Sequence, residues 1–168
     1  MDNLLASARK GGVGHIVVLS IVGVDRVPEL DYYRAKVLQE NILAAGPVPY
    51  SIVRATQFME FMDDVLSWTT DGDTVRLPAT PIQPIAAKDV ADAVAEVAVG
   101  APLNGIRNIA GPETFTLDEL GRMTLSRKGD NRSVVTDPTA GMFAVVKGDV
   151  LTDPHARLAP TRYEDWLS

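Results

Sequence analysis

The stretch "ARKGGVGHIVVLS", residues 8–20, decides how the chain is read. Its glycines, Gly11, Gly12 and Gly14, invite the reading of a phosphate-cradling loop. Such a loop follows a strand and opens a helix, so that the helix's first free N–H groups face the phosphates. Here the order is reversed. Leu4, Leu5 and Ala8 mark the end of an amphipathic helix, and the glycines stop it, because left-handed C-cap positions favour glycine. "HIVVLS" then reads as a short β-branched strand of the fully buried parallel type. The glycine cluster is therefore a helix stop and a turn. No other G-x-G-x-x-G or G-x-x-x-x-G-K-S/T occurs in the chain.

Downstream, helical and strand patterns alternate. A helix is predicted over 32–45, with Ala35, Leu38, Ile42 and Ala45 on one face, broken by Gly46, Pro47 and Pro49. "YSIVR" is the next strand and "QFMEFMDDVLSW" a helix, followed by the turn "TDGD". "TVRL" and "PIAA" read as short strands around a proline-rich loop. Asp89 is predicted to cap a helix whose Val90, Ala93, Val94 and Val97 share a face. "GIRNIA" is a third buried strand, and Thr116 with Glu119 forms a capping box on the helix "TLDEL". Beyond Lys128 the pattern weakens to a strand at "SVVT" and a tail, "TRYEDWL", that docks Trp166 and Leu167. This alternation predicts a single α/β domain over 1–168 with a mainly parallel sheet, centred on strands at 15–20, 50–54 and 105–110. Residues 112–168 form its less regular part.

Composition narrows the function. With 168 residues and 46% apolar content, the chain is globular. A net charge of −6 argues against direct nucleic-acid binding, which rests on neutralising phosphates. No apolar run approaches the eighteen or so residues of a membrane span, and "MDNLLASARKGG" lacks the features of a signal peptide. The absence of cysteine excludes disulfides and thiolate chemistry and fits a cytoplasmic protein. His15 and His155 have no companions at metal-ligand spacing, and His15 reads as a strand-start residue.

The chemistry-bearing candidate is "DYYRAK", residues 31–36. Tyr32 and Lys36 stand one helical turn apart, with Cβ atoms about 6 Å from each other. Ser20 closes the preceding strand, and strand ends are where α/β sheets gather their chemistry. A phenol with a pKa near 10 needs about 4 kcal/mol of preference for its anion to work at neutral pH, and a nearby ammonium has the right sign. Ser20 is placed to orient a carbonyl. The same spacing also fits a Tyr32 packed under a loop beside a solvated Lys36. Tyr33, on a neighbouring arc, reads as a packing residue. Phe58, Phe61 and Met62 hint at an apolar pocket wall.

Taken in order, "GVGHIVVLSIVGVDR", "YYRAKVLQENILAAG", "YSIVRATQFMEF", "PIAAKDVADAVAEVAVG" and "NIAGPETFTLDELGR" resemble the atypical short-chain dehydrogenase/reductase superfamily, in its NmrA-like, NAD(P)-binding branch. The resemblance implies a partial Rossmann-like, doubly wound sheet with a small C-terminal substrate-side region. It implies NADP or NAD as cofactor and a small carbonyl or alcohol as substrate. Ser20 matches the substrate-orienting serine, Tyr32 the acid/base tyrosine, and Lys36 the lysine that also holds the nicotinamide ribose. Thr56, Gln57 and Phe58 match the loop along the nicotinamide end. The branch also holds non-catalytic dinucleotide sensors and regulators, which is the alternative reading. The family's first βαβαβ half, about a hundred residues with the Gly-rich loop, has no counterpart here, so a truncated, weakly active or inactive form is a further expectation. Strand 15–20 would then offer an apolar edge for self-association or a partner.

Overall fold

The computed structural model describes the backbone of residues 1–168 and every side chain except that of Asp2. Helix α1 (Asp2–Lys10) ends at Gly11, and Gly12 turns the chain with a φ of +68°. Then follow β1 (Ile16–Ile21), α2 (Asp31–Ala44), β2 (Tyr50–Ala55), α3 (Met62–Trp68), the hairpin β3 (Thr70–Asp71) and β4 (Thr74–Leu77), and β5 (Pro81–Ile82). The second part holds α4 (Ala87–Val99), β6 (Gly105–Ala110), β7 (Phe115–Thr116), α5 (Leu117–Lys128), β8 (Ser133–Thr136), β9 (Arg157–Leu158) and α6 (Tyr163–Trp166).

The central sheet runs β1-β2-β6-β9, with every pair parallel. Alternation along the strands sends their side chains to two separate cores. Ile16, Val18 and Ile52 meet Leu5 and Leu43 beneath α1 and α2. Val17, Val53, Ala55 and Ile109 meet Val90 and Val97 of α4 on the other face. This is the double covering that an all-parallel sheet requires. A third and larger core joins α3, α5, β4 and the tail around Leu66, Leu77, Leu120 and Tyr163.

The sheet ends at β1, whose one strand neighbour is β2. The N–H groups of Ile16 and Val22 reach Pro49 and Ala55, so alternation turns the backbone groups of Val17, Leu19 and Ile21 outward. Leu19 is 37% exposed, in a strand whose sequence reads as fully buried.

The structure corrects several expectations. The buried face of α2 carries Tyr33, Glu40 and Leu43, while Ala35, Leu38 and Ala45 face solvent. Apolar spacing misled because the buried face carries a charged residue, Glu40, which is paired with Arg54. Asp89 does not cap α4. That helix starts two residues earlier, at Ala87, and the Glu60 carboxylate accepts the Ala87 N–H at 3.1 and 3.0 Å. "PIAA" is not a strand: Ile85 makes a single bridge to Phe58, and the strand pairing lies earlier, at Pro81–Ile82 with β7. Strand β9 falls in a segment with no strand periodicity. The capping box at Thr116 and Glu119 is formed. The tail is anchored by Tyr163, fully buried, more than by Trp166 or Leu167.

Candidate active site

The C-terminal ends of β1 and β2 and the first turns of α2 surround a cavity of about 300 Å³. Crevices at strand C-termini are the usual ligand sites of open α/β sheets. Ser20, Tyr32, Lys36, Thr56, Gln57 and Phe58 all line it. The parallel register places Ser20 opposite Arg54, so the residues that follow each strand emerge side by side. Of the apolar wall suggested by the sequence, Phe58 and Phe61 line the cavity, whereas Met62 is buried in the large core. Met142 and Phe143, from a short 3₁₀ turn, close the opposite side. Sequence reasoning missed this pair. Their only local signal is an apolar run, "MFAVV", within an irregular segment.

Several polar side chains among the lining residues are buried. Ser20 Oγ and Thr56 Oγ1 are buried without a hydrogen-bond partner, and the Gln57 amide, buried beside them, has the Tyr33 phenol for a neighbour. An unsatisfied buried polar group costs about 1–3 kcal/mol. A polar ligand that entered the cavity would relieve this cost once these side chains turned toward it. The residues thus fit the amide-bearing end of a nicotinamide, which offers both donors and acceptors. They do not provide a phosphate cradle: Gly11, Gly12 and Gly14 lie between α1 and β1, on the exposed surface.

The titratable groups differ in setting. Tyr32 is 63% exposed, at the cavity mouth. Tyr33, tilted against it at 6.5 Å between ring centroids, is buried. Burial pushes the Tyr33 phenol up; neighbouring Gln57 opposes this and Tyr32 adds to it. Lys36 donates to the Leu19 carbonyl at 2.7 Å and to Gln39 Oε1 at 2.5 Å. Burial pulls its ammonium pKa down, and Glu40 partly restores it.

An ion cluster, buried at Arg54 and Glu40, joins the elements that carry the cavity. Arg54 donates through Nε and Nη2 to the two Glu40 oxygens, at 3.0 and 2.6 Å, and through Nη1 to Asp25 at 3.3 Å. The hydrogen bond to Glu40 is the main reason the guanidinium pKa is held above its usual value. These contacts fasten together the loop after β1, helix α2 and strand β2, the three elements that carry the site.

Neither a protein-family model nor a curated protein sequence matches the chain. Solved structures do match it. A nucleoside-diphosphate-sugar epimerase from Staphylococcus aureus is 13% identical with a TM-score of 0.69, the match covering 99% of this chain and 68% of the other. The NADPH-dependent quinone oxidoreductase from Escherichia coli, complexed with NADPH, is 22% identical with a TM-score of 0.63, over 80% of this chain and 48% of its own. The Bordetella bronchiseptica enzyme WbmG, in complex with NAD and UDP, is 17% identical with a TM-score of 0.58, over 82% and 55%. The chain thus spans about half to two thirds of the length of these proteins. At such identities the likeness establishes the fold, a Rossmann-like α/β sheet of the kind on which those proteins are built.

Proposed function

We propose that the chain is an NAD(P)-dependent oxidoreductase of short-chain dehydrogenase/reductase type, of the NmrA-like branch. The observation that carries this reading is the convergence of Ser20, Tyr32, Lys36, Thr56, Gln57 and Phe58 on one cavity. The nicotinamide cofactor, NADP or NAD, supplies the hydride, which no side chain can donate. Thr56 and Gln57 hold its amide-bearing end, and Phe58 packs against it. Ser20 Oγ donates a hydrogen bond to the substrate carbonyl and orients it. The Tyr32 phenol donates the proton that completes the alcohol, and Lys36 stabilises the phenolate left behind. Lys36 Nζ already donates to Leu19 and Gln39, and its third N–H is left to face the phenolate. Segment 112–168 serves the substrate side through Met142 and Phe143.

The exposure of Tyr32 and the engaged state of Lys36 favour a second reading, a dinucleotide sensor or regulator acting through protein partners. Carbonyl-dependent NADPH oxidation by the purified chain, lost in Tyr32→Phe with cofactor affinity retained in calorimetry, supports the enzyme. Binding without turnover supports the sensor. No cofactor binding at millimolar concentration removes both.

A further inference from the structure

We infer that helix α2 pairs antiparallel with α2 of a second copy of this chain, about a twofold axis level with Glu40. The inference is independent of the redox reading. The apolar positions Ala35, Leu38, Ile42 and Ala45 form one stripe along the helix. The structure turns that stripe away from the core. Ala35, Leu38 and Ala45 are exposed and Ile42 is half-buried, while Tyr33, Glu40 and Leu43 fill the opposite side. Leu38 is 59% exposed. Between Ala35 and Ala45 the charged residues are Lys36 and Glu40. Both are held within the chain, Lys36 by Leu19 and Gln39, and Glu40 by Arg54. The outward stripe is thus free of charge, as the centre of a protein interface tends to be.

The order of the stripe and the charges at its ends name the occupant. Spacings of three, four and three residues are those of a helix-pairing seam. They read the same in both directions, so a twofold axis brings Ala35 of one copy to Ala45 of the other, and Leu38 to Ile42. Such an isologous contact needs no partner but the chain itself. The alanines let the helices approach at the ends, and Leu38 and Ile42 fill the middle. Beyond Ala45, a groove of about 830 Å³ between α1 and α2 is walled by Arg9 and Lys10. Neither has an ion-pair partner among the described residues, and nor does Glu29, just before α2. An antiparallel copy brings Glu29 and Asp31, at the start of its α2, toward Arg9 and Lys10. A parallel copy would set like charges together. Exposed pairs of this kind add little energy but fix orientation.

The chain has no cysteine, so introduced thiols report this contact cleanly. The full chain carrying Ala35→Cys is mixed with the chain carrying Ala45→Cys and oxidised mildly. The expected product is the mixed disulfide dimer. Two copies of one variant would hold their thiols about 15 Å apart along the helices, too far to bridge. Sedimentation equilibrium of the unmodified chain should show dimers forming as concentration rises. Leu38→Glu, changed at an exposed position and shown to be folded by circular dichroism, should weaken association at least tenfold. Arg9→Glu or Glu29→Lys should each weaken it about threefold, and the two together should restore much of the loss. Monomers up to millimolar chain, unchanged association in folded Leu38→Glu, disulfides formed as readily between like variants as between unlike ones, or no recovery on exchanging the charges would overturn the inference. Association lost in Leu19→Lys but kept in Leu38→Glu would assign the contact to the edge of β1 and overturn it as well.

Discussion

Lys36 Nζ donates to the carbonyl of Leu19, the residue before Ser20, and so ties helix α2 to the outward-facing side of β1. One side chain therefore satisfies a backbone acceptor at the sheet's edge and faces the candidate site. Lys36→Met keeps the aliphatic stem and removes the donor. A stability loss of about 1 kcal/mol in urea denaturation is expected, together with loss of any carbonyl-dependent NADPH oxidation. Full activity in a folded Lys36→Met would remove the lysine from the chemistry.

The Arg54–Glu40 pair has side chains only 12% and 7% exposed. Removing one partner strands the other charge out of water, so Arg54→Met should cost about 3–5 kcal/mol. The double change Arg54→Met, Glu40→Met should recover much of that loss. A double variant no more stable than Arg54→Met would show that the pair does not act as a unit.

Asp118 shapes the acid limb of stability. Burial opposes its ionisation, but hydrogen bonds from Thr116, Thr136 and Arg122 outweigh it and hold its pKa at about 2. A carboxylate depressed in the folded state contributes stability that is present above the unfolded aspartate range near 3.9 and is lost as pH falls through about 2. Asp118→Asn should therefore be about 2 kcal/mol less stable at pH 7, with the gap closing toward pH 2. A gap independent of pH would point to lost packing instead.

Gly111 follows β6 at a close backbone approach. A Cβ there would stand 1.6 Å from the carbonyl oxygen of Pro84, which no side-chain rotation can relieve. Gly111→Ala should cost more than about 3 kcal/mol, read as a lower thermal midpoint. A neutral effect would mean the backbone at Pro84 and Ile85 is free to move.

The free side of β1 is the remaining exposure. We propose that it drives self-association or pairing with a partner strand, because Leu19 is exposed there and the outward backbone groups of Val17 and Ile21 have no neighbouring strand. Sedimentation should depend on concentration, and Leu19→Lys should shift it toward the monomer. Concentration-independent monomers in the unmodified chain would count against this.

The sheet was legible because its strands are short, apolar and β-branched, and because glycine and proline punctuate them. The positions of β1, β2 and β6 follow directly. Strand β9 was not legible, since Arg157 and Leu158 carry no periodicity and are held by pairing with β6 and by the Arg157–Glu96 ion pair. The buried face of α2 was misread because Glu40 is inside, an outcome decided by Arg54, fourteen residues away. Site residues on regular elements, Ser20 and Lys36, could be singled out from spacing. Met142 and Phe143 could not, since a turn without periodicity brings them to the cavity from more than eighty residues beyond Gln57 in the sequence.

Glu60 joins three things at once. Its carboxylate takes the first N–H of α4, receives the Trp166 indole N–H at 3.2 Å, and stands beside Phe61 of the cavity wall. The tail and the pocket are therefore mechanically linked through a single acidic side chain. Proteolytic loss of residues 163–168 would be felt as faster deuterium uptake at the start of α4 and a looser aromatic wall, far from the cut in sequence.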